Sequence, residues 1–256
     1  MNLITKIIMK IGNKFIPLYY LDDKGKKEVT YSPNKRIKIL LRVGTLDKFV
    51  AWEVWKHNQY GDLNFKENGV VIDIGGHIGT FTLFAANKLT KGRVITFEPF
   101  PDNYKMIRKN LTLNKIDNVI LNQEAVGDKI GKRILHLDTE NNGANSFYES
   151  DSNKIINVPT TTLEKIFKRY KLKEVELIKI DAEGAEYDIL LSCRDSLLKK
   201  VKKIVLEYHD YLNTSLDHRQ ISKRLSSLGF VVKDRTPMIQ KILMKSGILI
   251  AERNKI

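Results

Sequence analysis

The sequence predicts an α/β protein built on a doubly wound, mostly parallel sheet. Three observations carry that reading. From residue 69 onward, short β-branched runs such as Val70-Val71-Ile72-Asp73-Ile74 alternate with longer stretches of helical spacing. Buried parallel strands read as near-continuous apolar runs of this kind, and strand–helix alternation implies a sheet covered on both faces. A glycine-rich turn follows the first strong strand, and the next strand ends in an acid, Glu98. Finally, 42% of the residues are hydrophobic and 29% charged, a composition that supports a core and argues against disorder.

The elements follow in order. Leu3, Ile4, Ile7, Ile8, Ile11 and Phe15 form a stripe at helical spacing, with Lys6, Lys10 and Lys14 on another face. The favoured reading is a basic amphipathic helix packed on its own domain. The other reading lays residues 1–15 on a membrane surface. Residues 1–48 are read as a basic helical/β extension and residues 49–256 as the main domain. Val70–Ile74 is a strand, Phe81–Leu89 a helix, Arg93–Phe97 a strand, Asp102–Asn114 a helix and Asn118–Asn122 a strand. Residues 128–160 alternate and contain Asn141-Asn142-Gly143, which predicts a β-hairpin-like insertion. Thr162–Tyr170 is a helix capped by Thr161 or Thr162. Strands are expected at Leu177–Ile180, Lys203–Leu206, Phe230–Lys233 and Gly247–Ala251, with helices near 185–199 and 215–227 between them.

Composition excludes several classes. No apolar run approaches the ~20 residues that span a bilayer. Lys6 and Lys10 interrupt the only apolar stretch at the N-terminus, so a signal-peptide core is lacking and the cytoplasm is the expected location. The single cysteine, Cys193, excludes an internal disulfide and a multi-cysteine metal site. Net charge is +14, divided as +7 in residues 1–48, −1 in 49–198 and +8 in 199–256. The basic ends read as solvated lysines, as an RNA-binding face or as contacts to anionic lipid.

The turn Asp73-Ile74-Gly75-Gly76-His77-Ile78-Gly79 opens a helix. Glycines let a backbone turn tightly and let a ligand approach without meeting a Cβ. Glu98 lies 25 residues after Asp73, a spacing that suits an acid hydrogen-bonded to ribose hydroxyls. The spacing is not the dinucleotide G-x-G-x-x-G. An acid at the turn would repel a pyrophosphate but suits a cationic amino-acid ligand, which favours S-adenosylmethionine over NAD.

An ordered series of segments resembles the FkbM family of methyltransferases over roughly residues 40–210. It runs Val43-Gly-Thr-Leu-Asp47 with Glu53, VIDIGGHIGTFTLFAA, VITFEPFPDNYKMIRKNLTLN, NQEAVGD, TTLEKIF, LIKIDAEGAEYDILL and IVLEYHD. The family often has Ala where this chain has His77. The resemblance implies a Rossmann-like class I methyltransferase fold, in which a last antiparallel strand inserts beside the parallel ones. It implies methyl transfer, usually to a hydroxyl on a sugar, glycan or small metabolite. It also implies that Asp73, Gly75, Gly76, His77 and Gly79 surround the methionine part of the cofactor. By the same resemblance Glu98 holds the ribose, Ala125 sits beside the adenine, and Asp181 lies near the reactive methyl.

A hydroxyl is a poor nucleophile at neutral pH and needs a base or a metal. The candidates cluster at expected strand ends: Asp181, Glu183, Glu207, His209 and Asp210. His209 is the favoured base, since imidazole titrates near neutral pH, with Asp181 and Glu207 as further catalytic residues. Asp181, Glu207 and Asp210 would be the ligand set if Mg²⁺ were bound; the metal-free reading is preferred. Glu183 is read as one of these site acids or, instead, as a cap for the helix near Ala185, and Lys179 as an ion-pair partner on the same side of its strand as Asp181. No N-P-P-[YF] motif follows this strand, so methylation of a base amino group is disfavoured and nucleic acid is not the expected partner. Cys193 is not preceded by proline, and G-x-S-x-G is missing. The alternatives are an RNA or protein methyltransferase, and a non-catalytic cofactor-binding protein.

Overall fold

The computed structural model describes residues 24–137, 154–212, 215–237, 241 and 243–253. Two short strands, β1 (Glu28–Tyr31) and β2 (Ile39–Arg42), pair antiparallel ahead of helix α1 (Asp47–Trp55). Then come β3 (Val70–Ile74), α2 (Thr80–Lys88), β4 (Arg93–Phe97), α3 (Pro101–Leu113) and β5 (Val119–Asn122). A small excursion holds β6 (Ala125–Val126), β7 (Gly131–His136) and β8 (Ile155–Thr161). The chain continues with α4 (Leu163–Arg169), β9 (Val175–Ile180), α5 (Glu186–Ser192), α6 (Asp195–Leu198), β10 (Val201–His209), α7 (His218–Ser227), β11 (Phe230–Asp234) and β12 (Ser246–Arg253).

The main sheet has seven strands in the order β11-β12-β10-β9-β3-β4-β5. Strands β5, β4, β3, β9 and β10 are parallel to one another, while β12 runs antiparallel to both β10 and β11. The single antiparallel strand is therefore where the resemblance placed it. Alternate residues of each strand face opposite sides. Ile72, Ile178 and Ile204 pack with Ile166, Leu190 and Leu225 of α4, α5 and α7. Val71, Leu177 and Val205 pack with Phe81 and Ala85 of α2 and with Val54 of α1. The sheet is thus wound on both faces, which explains why its strands read as unbroken apolar runs.

The excursion is a three-stranded sheet, with β8 antiparallel to β7 and parallel to β6. The hairpin pairing is as expected; its Asn141-Asn142-Gly143 turn lies outside the described residues, as does the expected N-terminal helix. Thr162 caps α4, its side chain accepting from the Lys165 N–H. In the β1–β2 hairpin, Val29, Ile39 and Leu41 cluster with Ile78, Leu83 and Met106 of the domain. Among the described residues, no helix is long and apolar enough to cross a membrane.

Candidate functional site

The parallel topology places the carboxyl ends of β3, β4, β9 and β10 along one edge, where ligands bind in open α/β sheets. The turn after β3 is locked down there. Gly75 and Gly76 donate to the Phe97 carbonyl at 3.0 and 3.1 Å. Gly75 has φ +77°, and a Cβ on it would lie 1.7 Å from the Asp181 carbonyl oxygen. A Cβ on Gly76 would meet Thr96 and Ile107. Packing of the turn on β9, β4 and α3 therefore requires glycine at both positions, in keeping with the tight turn expected from sequence. Gly79, φ +87°, is the N-cap of α2.

Asp73 is fully buried. Its Oδ2 accepts from Thr82 at 2.6 Å, while Oδ1 makes no hydrogen bond, although Lys179 Nζ lies 3.5 Å away. Burial raises the Asp73 pKa against the pull of Lys179. Lys179 also donates to the Gly75 carbonyl at 2.7 Å and lies 3.4 Å from Asp181. Burial alone would lower the Lys179 pKa, but Asp181 and Asp73 hold it above the usual lysine value.

Glu98 accepts from the backbone N–H of His77 at 2.7 Å and of Phe100 at 2.9 Å. Burial pushes its pKa up to about 7 against those two donors. Ala125 opens β6 and is buried beside Phe100, Leu135 and Val158. His77 has φ +51°; its ring lies 3.3 Å from both Arg42 and Asp47. Burial brings its pKa down to about 4.

At the ends of β9 and β10, Asp181, Glu207 and His209 offer ligand atoms all within 4.8 Å of one another. His209 is 5% exposed, and its Nδ1 lies 2.7 Å from the fully buried Glu186. Glu186 also accepts from the Gly184 N–H at 2.8 Å. His209 Nε2 faces Glu183 at 3.6 Å and Glu207 at 4.0 Å. Burial alone would lower the His209 pKa, but Glu183 and Glu186 outweigh it and hold the ring well above the usual imidazole value. The expectation of an imidazole titrating near neutral pH is corrected here: the carboxylates around the ring favour imidazolium.

Burial raises Glu183 to about 8 and Glu207 to about 7, with Asp181 adding like-charge repulsion to both and His209 opposing. Glu53, on α1, is held well above its usual value by burial and by Glu207 and Asp181. Tyr60 is buried within reach of the same acids, which with burial raise its pKa.

Two expectations are revised. Asp210 does not join Asp181 and Glu207: its carboxylate takes the Tyr187 hydroxyl, the His218 backbone N–H at 2.9 Å and His218 Nδ1 at 2.6 Å. Residues alternate sides along β10, so His209 shares a side with Glu207 and the next residue turns away. Glu183 lies two residues ahead of Ala185, the N-cap of α5, not at the cap position itself. It sits at φ +47° beside His209, and α5 has no side-chain cap. Lys179 pairs with acids as expected. Cys193 is buried at the end of α5, and burial raises its thiol to about 12.

Sequence reasoning assigned no role to Glu53 and missed Tyr60, Glu186 and Arg42. Glu186 reads locally as an ordinary first-turn acid. Glu53, Tyr60 and Arg42 precede the sheet in sequence and reach the site only through the packing of α1 and the hairpin.

Comparison with known proteins adds the family. The model of the methyltransferase FkbM domain matches residues 73–232. Methyltransferase 1 of Beauveria bassiana is 26% identical over 81% of this chain and 90% of its own length. The 2-O-methyltransferase NoeI of Sinorhizobium fredii is 26% identical over 60% of this chain and 69% of its own length. The solved methyltransferase FkbM of Methylobacillus flagellatus shares the fold at a TM-score of 0.52 and 14% identity. That match covers 75% of this chain and 45% of the other. With well over half of its residues inside the family match, this chain belongs to the FkbM family and is an S-adenosylmethionine-dependent methyltransferase.

Proposed function

We propose that the protein methylates a hydroxyl on a sugar, glycan or small metabolite, and that the ends of β9 and β10 receive that hydroxyl. The observation that carries this reading is the convergence of Asp181, Glu207 and His209 within 4.8 Å. The Sinorhizobium relative, named as a 2-O-methyltransferase, supports oxygen as the acceptor atom.

The residues fit the cofactor. Asp73 Oδ1 is buried without a hydrogen bond, Glu98 offers two carboxylate oxygens at the turn, and the strand ends are rich in acids. Those features suit a ligand bearing a sulfonium, an ammonium and a ribose diol. Asp73, Gly75, Gly76, His77 and Gly79 would hold its amino-acid end, Glu98 the ribose, and Ala125 with Phe100 would flank the adenine. When bound, the cofactor supplies a methyl group already activated for in-line displacement. The protein must then align the acceptor, exclude water and remove a proton. Asp181 or Glu207 takes the hydroxyl proton as the new O–C bond forms. His209, fixed by Glu186 and charged, orients these carboxylates and offsets their repulsion. Asp181 stays in place because Lys179 holds it, at 3.4 Å.

The test is turnover with labelled cofactor and a cell extract, fractionated into glycan, small metabolite, lipid, protein and RNA. Label is expected in the glycan or metabolite fraction; label in RNA or protein would overturn the reading. With the acceptor in hand, Asp181→Asn and Glu207→Gln should each lower turnover by ~10²–10⁴-fold with little change in cofactor affinity. A chelator should leave turnover intact. Full loss that Mg²⁺ restores would show the metal-free assignment to be wrong.

A further inference from the structure

The hairpin ahead of the family match ends at Arg42, and its side chain reaches the glycine turn. Arg42 binds Asp47 through its backbone N–H at 2.8 Å, Nε at 2.9 Å and Nη2 at 2.8 Å. Its Nη2 also donates to His77 Nε2 at 3.3 Å. Nε2 lies 3.3 Å from Asp47 Oδ1 as well; with the guanidinium, which has only donors, as its hydrogen-bond partner, Nε2 presents its lone pair and the ring proton sits on Nδ1. His77 is neutral across the physiological range, because burial depresses its pKa to about 4.

That leaves two donors without a partner in one corner of the site, on side chains that touch each other. Arg42 Nη1 and His77 Nδ1 are both buried and make no hydrogen bond. A buried unsatisfied donor costs about 1–3 kcal/mol, so each implies a partner. A single partner that satisfied both would have to accept twice, as a carboxylate does. Asp47 already neutralises Arg42, and its carboxylate is spent on the Arg42 backbone and side chain.

We infer that Arg42 and His77 form a two-donor clamp for the carboxylate of the cofactor's amino-acid end. This rests on the cofactor reading proposed above and adds to it the residues that read the carboxylate. His77 is placed to do so. Its backbone N–H binds Glu98, the acid assigned to the ribose, at 2.7 Å, while its ring turns to Arg42. One residue thus stands between the ribose acid and the clamp, as a nucleoside and its amino-acid tail require. Arg42 lies outside the residues that match the family model, and His77 replaces the small residue often found in the family.

The test compares S-adenosylhomocysteine with its decarboxylated analogue, which keeps the amine and loses only the carboxylate. Calorimetry on the full chain should show the native protein favouring S-adenosylhomocysteine by about tenfold or more, the worth of a charge-assisted hydrogen-bond pair. In His77→Gly, which relieves the positive φ, and in Arg42→Met, that preference should shrink to within about threefold, through weaker binding of S-adenosylhomocysteine alone. The ratio is read within each variant, so a general loss of stability cancels; His77→Gly carries the test should Arg42→Met fail to fold. An unchanged ratio in His77→Gly, or equal binding of both compounds by the native protein, overturns the clamp and leaves the cofactor reading standing. Failure of the native protein to bind either compound overturns that reading and the clamp with it.

Discussion

Lys179 shows what a single residue does in this site. It is almost fully buried, yet it stays charged because Asp73, Asp181 and the Gly75 carbonyl surround its ammonium. Removing one partner of such a pair is strongly destabilising, by about 3–5 kcal/mol. Lys179→Met should therefore lower the unfolding free energy by that order in urea titration, and a loss below about 1 kcal/mol would mean that the acids neutralise themselves by protonation. The neighbouring carboxyls make a second prediction. Glu98, Glu183 and Glu207 have folded values of about 7, 8 and 7, raised first by burial above the usual 4.5. The folded state therefore holds more protons than the unfolded state between those limits. Stability from these groups is fully present below the ordinary carboxyl value and is lost as pH rises through about 7 to 8. His209, raised above its ordinary imidazole value, acts in the same direction as pH rises past that value; Lys179, raised above its ordinary lysine value, titrates only at alkaline pH beyond this range. The melting temperature should fall from pH 5 to pH 8, and Glu183→Gln should flatten that fall. Equal slopes in native and variant proteins would show that Glu183 is not held protonated.

At the scale of elements, the site depends on how close the turn after β3 comes to the end of β9. Gly75→Ala would place a methyl carbon against the Asp181 carbonyl, a backbone atom that cannot rotate away, and would do so at φ +77°. The expected outcome is a protein of lower stability whose affinity for S-adenosylhomocysteine falls by at least tenfold, about 1.4 kcal/mol. Native affinity in calorimetry would mean that the turn tolerates displacement. Helix α4 lies elsewhere in the fold and gives a contrast. Its N-cap Thr162 satisfies the Lys165 N–H, so Thr162→Ala should cost about 0.5–2 kcal/mol of stability and leave cofactor affinity unchanged. Legibility also varied by element. Val70–Ile74 and Arg93–Phe97 were read to the residue because buried parallel strands are apolar on both faces. Strand β10 was read as Lys203–Leu206 but runs Val201–His209. Its ends carry Lys202, Glu207 and His209, whose polar heads find partners at the sheet margins, such as Lys202 on Glu176 at 2.5 Å. A polar residue at a strand end looks locally like a loop.

Across the whole molecule, the β1–β2 hairpin binds the sheet domain through one apolar cluster. Leu41 is fully buried there among Ile78, Leu83 and Met106. Leu41→Ala should cost about 2–5 kcal/mol, and it should weaken cofactor binding as well, since the next residue is Arg42. Denaturant unfolding followed by tryptophan fluorescence, with Trp52 and Trp55 on α1 as reporters, should stay a single transition. An early separate transition would mean that the hairpin and α1 fold independently of the sheet. The amino-acid sequence by itself determined the doubly wound sheet, the glycine turn with Asp73 and Glu98, and the strand-end acids. Each is a local pattern: apolar runs of period one, a turn composition, an acid at a fixed distance along the chain. Only the tertiary structure decided which acids meet. It turned Asp210 towards Tyr187 and His218, set Glu186 behind His209, brought Glu53 and Tyr60 in from α1 and its loop, and carried Arg42 across to His77. The physical reason is that side-chain encounters and burial depend on how β9, β10, α1 and the hairpin pack around one edge. The protonation of His209 and His77 follows from that packing, and neither residue carries it in its neighbours along the chain.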